Sequence, residues 1–170
     1  GLNVPLSKAE TKEIIEKLAQ KNKATETSVR IVLTGGNSPD GTGFDSKNPT
    51  FYILMHTLKP LPKEFYDKGV KMITVDHRRE LPEAKTNNYI TKLKNDSLKV
   101  KKNAHEILYI KDGFVLEGAT CNIFMFKKGK LITPKDDILL GTRRWLVLKI
   151  AKNNFKTMEQ KVKLSELLNA

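Results

Sequence analysis

The segment from residue 106 to residue 133 constrains the fold more tightly than any other part of the chain. Short runs rich in apolar residues, EILYIK, VLEG, NIFMF and KLIT, are broken there by KDG at 111–113 and KKGK at 127–130. Runs of four to six such residues bounded by glycine turns are too short for helices and read as strands. Tight glycine turns between them join antiparallel neighbours, so the segment predicts a meander. Strands are expected at 106–111, 122–126 and 130–133, with a further short strand ending at Glu117.

Helical patterns flank this block. Ser7-Lys8-Ala9-Glu10 fits a capping box ahead of Ile14, Ile15, Leu18 and Ala19, which predicts an amphipathic helix over 7–22. VRIVLT (29–34) and TFYILMH (50–56) read as strands joined through GGNSPDGTGF (35–44). Pro60 and Pro62 then interrupt the pattern and mark a boundary between domains at 1–60 and 61–170. Beyond it follow a strand at 70–76, a helix over about 86–102, a helix over about 142–154 carrying Trp145, Leu148 and Ala151, a short strand, and a terminal helix at 163–169. The class expected is α+β, a mixed α/β chain.

Bulk properties remove several functions. At 170 residues and 39% apolar content the chain can bury a core. No apolar run approaches the 18 residues of a membrane span, and GLNVPLSKAETKEIIEKL lacks the layout of an export signal, so a cytoplasmic protein with no membrane partner is expected. Cys121 stands alone, and His56, His77 and His105 are too scattered for a zinc site, so no metal is expected. The net charge is +12, and from residue 91 onward 17 basic side chains face 8 acidic ones. The excess is mostly lysine without interleaved aromatics, which predicts a solvated surface and no nucleic-acid partner.

Four stretches could carry chemistry. GGNSPDGTGF lacks both the Lys-Ser/Thr of a Walker loop and the GxGxxG spacing, and reads as a strand-to-strand loop. In ILLGTRRW (138–145), Gly141 stands where an apolar run turns into a helix. The free N–H groups of Thr142 and Arg143 then suit an anion such as phosphate. In VLEGATCNIF (115–124), Glu117 ends a strand ahead of small residues, and Cys121 reads as a packing residue with no histidine nearby to activate it. In EAKTNNYITKL (83–93), Lys85 precedes a polar and aromatic cluster at a helix entry.

The order of these pieces matters: a lysine followed by Asn88-Tyr89, then E-G-small-small-x-N-I-F from Glu117, then Thr-Pro at 133–134, then L-x-G-x-x-R from Leu139 opening a helix. It resembles the class IV pyridoxal-phosphate aminotransferases, which include branched-chain and D-amino-acid aminotransferases and aminodeoxychorismate lyase, over roughly Arg30 to Ala170. The resemblance implies a D-amino-acid-aminotransferase-like fold. Residues 1–60 would be part of an N-terminal α/β domain, and 61–170 most of a cofactor-binding C-terminal domain incomplete at its end. It implies pyridoxal 5'-phosphate as cofactor, amino-acid and 2-oxo-acid substrates, and a homodimer.

Roles follow residue by residue. Lys85 matches the lysine that forms the internal Schiff base and then moves a proton at the α-carbon, a task that calls for a lowered pKa. Glu117 matches the carboxylate that keeps the pyridine nitrogen protonated. Gly141, Thr142 and Arg143 match the helix start that receives the phosphate. Leu139 matches the apolar side chain that supports a ring face, and the same resemblance implies that Tyr89 would lie near the ring hydroxyl and Thr120 near the phosphate.

The tight Lys85 to Tyr89 spacing and the 32 positions from Lys85 to Glu117 resemble the D-amino-acid and lyase branches more than the branched-chain one. Yet the loop at 37–44 has Asp40 and Thr42 where the D-alanine type carries an arginine and a histidine for the substrate carboxylate. A different substrate, or a grip through the amides of Gly41 and Gly43, is therefore expected. The resemblance also implies phosphate-binding residues both upstream and downstream of this segment. Aminotransfer is the first function expected, 4-amino-4-deoxychorismate lyase chemistry releasing pyruvate the second, and a basic binding module on the same fold the third.

Overall fold

The computed structural model describes residues 2–38 and 40–170. The chain forms two compact units, Gly1–Pro62 and Lys63–Ala170.

The first unit contains helix α1 (Lys8–Lys21) and strands β1 (Thr27–Thr34) and β2 (Thr50–Thr57). Both halves of the expected capping box form: the Glu10 amide donates to Ser7 Oγ at 3.2 Å and the Ser7 amide to Glu10 Oε2 at 2.8 Å. β1 and β2 pair antiparallel without a slip, from Thr27 opposite Thr57 to Thr34 opposite Thr50.

The second unit carries two sheets. One has the order β3 (Met72–Asp76), β4 (Glu106–Lys111), β5 (Phe114–Gly118) and β9 (Val162–Lys163), with β3 and β4 parallel and the other pairs antiparallel. The other comprises β6 (Met125–Lys127), β7 (Lys130–Thr133) and β8 (Lys156–Glu159). Helices α2 (Lys63–Asp67), α3 (Ile90–Lys101), α4 (Thr142–Ala151) and α5 (Leu164–Leu167) complete it. Leu108, Val115 and Val162 of the first sheet pack with Met125 and Ile132 of the second, forming one core. Ile107, Tyr109 and Leu116 meet Ile138 in another. β4 thus buries alternate residues in two different cores, which explains why EILYIK reads as continuously apolar.

Both expected turns form. Asp112 and Gly113 (φ 49° and 78°) link Lys111 to Phe114, and Lys128 and Gly129 (φ 48° and 71°) link Lys127 to Lys130. Two successive residues at positive φ match the twist of the flanking strands.

Several boundaries differ from the sequence reading. The helix expected from residue 86 begins at Ile90, because Thr86 to Tyr89 belong to the preceding irregular segment, where the Thr86 amide bonds back to Ala84. The strand expected over 122–126 starts only at Met125. Asn122 and Ile123 spend their polar groups elsewhere, Asn122 Nδ2 donating to the Leu139 carbonyl at 2.7 Å and the Ile123 carbonyl accepting from Thr133 Oγ1 at 2.7 Å. α4 ends at Ala151, three residues early, and α5 spans only Leu164–Leu167. The short helix α2, directly after Pro62, had no counterpart in the sequence reading.

Candidate functional site

Residue Glu117 owes its position to an irregularity in the sheet. Leu108 faces Gly118 and Ile110 faces Val115, so two steps along β4 correspond to three along β5. The extra residue breaks the in-out alternation of β5, and Val115, Leu116 and Glu117 are all buried in succession. Glu117, 5% exposed, is satisfied on both oxygens. Oε1 accepts from Arg79, with Nε at 2.7 Å and Nη2 at 2.6 Å, and Oε2 accepts from the Leu139 amide at 3.0 Å. The guanidinium and the amide thus pair the charge of a buried carboxylate where water cannot solvate it.

Arg79 also donates Nη2 to the Pro82 carbonyl at 2.7 Å and Nη1 to the Ala84 carbonyl at 3.3 Å. It thereby fixes the segment that leads into Lys85. Arg79 was absent from the residues singled out in the sequence. The pair Arg78-Arg79 gave no sign of which arginine turns inward, and only the structure separates them: Arg78 meets the exposed Asp137 at 3.4 Å.

Asn122 was quoted only as part of a motif, and it too has a positional role. Its bond to the Leu139 carbonyl holds the turn before α4, and its side chain packs against Gly141 so closely that a methyl group there would come within 2.5 Å of Oδ1. No side chain caps α4 at Gly141, and the first-turn amides of Thr142 and Arg143 are left for a ligand or water.

All eight residues singled out in the sequence, Lys85, Tyr89, Glu117, Thr120, Leu139, Gly141, Thr142 and Arg143, line one cavity of about 980 Å³ in the second unit. Lys85 is exposed within it, and among the described residues no carboxylate pairs with its amine. Tyr89, 39% exposed, stands just before α3. The Thr120 hydroxyl donates to Glu106 Oε2, whose other oxygen accepts from the Ile107 amide at 2.7 Å, so a carboxylate already engages the hydroxyl expected near a phosphate. His77 and Tyr109 share the cavity wall edge to face, with centroids 4.8 Å apart. Burial, helped by the nearby Arg79 charge, lowers the His77 pKa and favours the neutral imidazole. Burial and the charges of Glu106 and Glu117 push the Cys121 thiol up, which suits it poorly to nucleophilic attack. Among the described residues no cluster suited to a metal ion occurs.

The loop of the first unit corrects one expectation. Asp40 Oδ1 accepts from Ser38 Oγ at 2.6 Å and from the amides of Gly43 at 2.8 Å and Thr42 at 3.0 Å. The Ser38 hydroxyl first, and those amides after it, hold the Asp40 carboxyl well below the usual range. The Gly43 amide proposed as a grip for a substrate carboxylate is therefore occupied by Asp40 itself.

The sequence model of the family described as amino-transferase class IV matches residues 1–170. The chain belongs to the class IV aminotransferase family. Class IV aminotransferases use pyridoxal phosphate. The Arabidopsis thaliana branched-chain-amino-acid aminotransferase-like protein 1 is 30% identical over 185 residues, covering 99% of this chain and 32% of that protein. The Bacillus licheniformis D-alanine aminotransferase is 27% identical over 178 residues, covering 100% of this chain and 62% of that enzyme. The crystal structure of the Escherichia coli branched-chain amino acid aminotransferase superposes with a TM-score of 0.84 at 23% identity, over 98% of this chain and 59% of that one. This chain has the fold of these class IV enzymes and spans less than two thirds of their length.

The donor set fits pyridoxal phosphate. An uncapped helix start with close backbone access at Gly141 suits a phosphate at one end of the cavity, and a buried anionic carboxylate suits a protonated ring nitrogen.

Proposed function

We propose that this chain forms the core of a pyridoxal-phosphate-dependent aminotransferase, which moves an amino group between an amino acid and a 2-oxo acid. The observation that carries this reading is the convergence on one cavity of a lysine amine with no carboxylate partner among the described residues, a buried carboxylate paired with Arg79 and an uncapped helix start. Pyridoxal phosphate, when bound, supplies an electron sink for the pair released at the substrate α-carbon. The residues of the chain do the rest. The amine of Lys85 takes the proton from the α-carbon and returns it on the other side of the transfer. Glu117 would hold a proton on the ring nitrogen, and Arg79 and the Leu139 amide pair and orient that carboxylate. The amides of Thr142 and Arg143 would bind the phosphate, Gly141 would let it approach, and Leu139 would cover a ring face. Tyr89 has its hydroxyl available for the ring oxygen, and Thr120 acts through the turn that Glu106 holds.

The Lys85→Ala variant of the full-length protein is expected to lose transamination by at least about 10³-fold, while its folded spectrum is unchanged. Full activity without Lys85 would refute the assignment. The lyase branch remains the second reading, since the Lys85 to Tyr89 spacing and the 32 positions to Glu117 resemble the D-amino-acid and lyase branches alike. Formation of 4-aminobenzoate and pyruvate from aminodeoxychorismate, without amino transfer between amino and oxo acids, would select it. The homodimer and the cytoplasmic location are part of the same proposal, and light scattering and cell fractionation test them.

A further inference from the structure

We propose that Arg144 is a positioning residue for the phosphate-binding start of α4, an inference that rests on the function proposed above. Among the described residues the buried polar or charged side chains are Glu117, Thr133 and Arg144. The first two have partners suited to them: Glu117 pairs with Arg79, and Thr133 donates to the Ile123 carbonyl. Arg144 is different. Its Nη2 donates to the Pro134 carbonyl at 2.9 Å and to Glu159 Oε2 at 2.8 Å, while its buried Nε has no partner among the described residues. A methionine or leucine would fill such a place without that penalty, so packing alone does not account for the arginine.

Its place in the chain supplies the reason. Residues 134–141 run from the end of β7 to the start of α4. Their far end is held by Glu117 and Asn122, which bond the Leu139 amide and carbonyl. Arg144 sits in the first turn of α4 and reaches back to Pro134, closing the near end of the same segment, and through Glu159 it ties that turn to β8. It also borders the cavity that the Thr142 and Arg143 amides line. The guanidinium thus fixes where those amides point.

The test compares two ligands that differ only in the phosphate. Pyridoxal phosphate and pyridoxal are titrated against the full-length protein and its Arg144→Met and Arg144→Lys variants, with circular dichroism as the check on folding. Arg144→Met is expected to weaken pyridoxal phosphate about tenfold or more and to leave pyridoxal within twofold. Arg144→Lys keeps a donor for Pro134 on a less rigid stem and is expected to fall between, with a loss of about threefold confined to the phosphate-bearing ligand. If Arg144→Met does not fold, that selective loss in Arg144→Lys decides the matter. Equal weakening of both ligands means a merely structural arginine and overturns the inference, as does no weakening of either. Wild-type protein that binds pyridoxal phosphate no more tightly than pyridoxal overturns the proposed phosphate site itself, and the inference falls with it.

Discussion

Removing Arg79 should expose how much of the cavity depends on one buried ion pair. In Arg79→Met the apolar stem is kept while three contacts vanish: the pair with Glu117 Oε1 at 2.6 Å, and the bonds to the carbonyls of Pro82 at 2.7 Å and Ala84 at 3.3 Å. The Glu117 side chain is 6% exposed and that of Arg79 19%. Breaking a fully buried pair from one side costs about 3–5 kcal/mol, because the remaining charge is stranded. Access of water to Arg79 places this case at the low end, about 3 kcal/mol. Glu117→Gln alone keeps one neutral acceptor oxygen, so one of the two donors, Arg79 or the Leu139 amide, loses its partner, and the change should cost about 2 kcal/mol. The double variant strands no charge and should cost no more than Arg79→Met alone, about 2 kcal/mol less than the sum of the single changes. Urea unfolding of the full-length protein without cofactor measures all three. Single effects that add to within about 0.5 kcal/mol would refute the reasoning, since they would mean that the two charges do not depend on each other.

Further consequences follow from the same geometry. Gly141→Ala forces a methyl group against Asn122 Oδ1 at 2.5 Å, and should cost roughly 1–3 kcal/mol in unfolding experiments and weaken pyridoxal phosphate binding. His77, with its pKa lowered by burial and by Arg79, should titrate below the ordinary value of about 6.5 by NMR, and Arg79→Met should move it upward. Because the folded-state value lies below the unfolded one, the stability tied to His77 is complete above about pH 6.5 and is lost as the pH falls through the folded value. His77→Phe should flatten the acid side of the stability profile.

Much of the fold was legible because it rests on local signals. The capping box of α1 and the two glycine turns of the meander act over four residues or fewer, and they form as the sequence predicts. The eight candidate site residues were singled out for another reason: the order of weak motifs pointed to a common cofactor, and the fold brings all eight to the wall of one cavity. What stayed hidden depends on distant partners. Nothing near Arg79 tells that it, and not Arg78, will meet a carboxylate 38 residues away. The bulge that buries Glu117 appears only when β4 and β5 are paired. Residues 86–89 stand ahead of α3, where the Asn88 side chain accepts from the Ile90 amide at 3.3 Å. The Gly43 amide looked free in sequence, and in the folded loop Asp40 takes it.

The central claim, that Lys85 is the amine at which the chemistry occurs, has a direct test in a chain so rich in lysine. The full-length protein is loaded with pyridoxal phosphate, reduced with borohydride to fix the cofactor to the amine it occupies, digested and mapped by mass spectrometry. Stoichiometric label on Lys85 is the result expected. Label on another lysine, or label spread over many of them with Lys85 unmodified, would contradict the account.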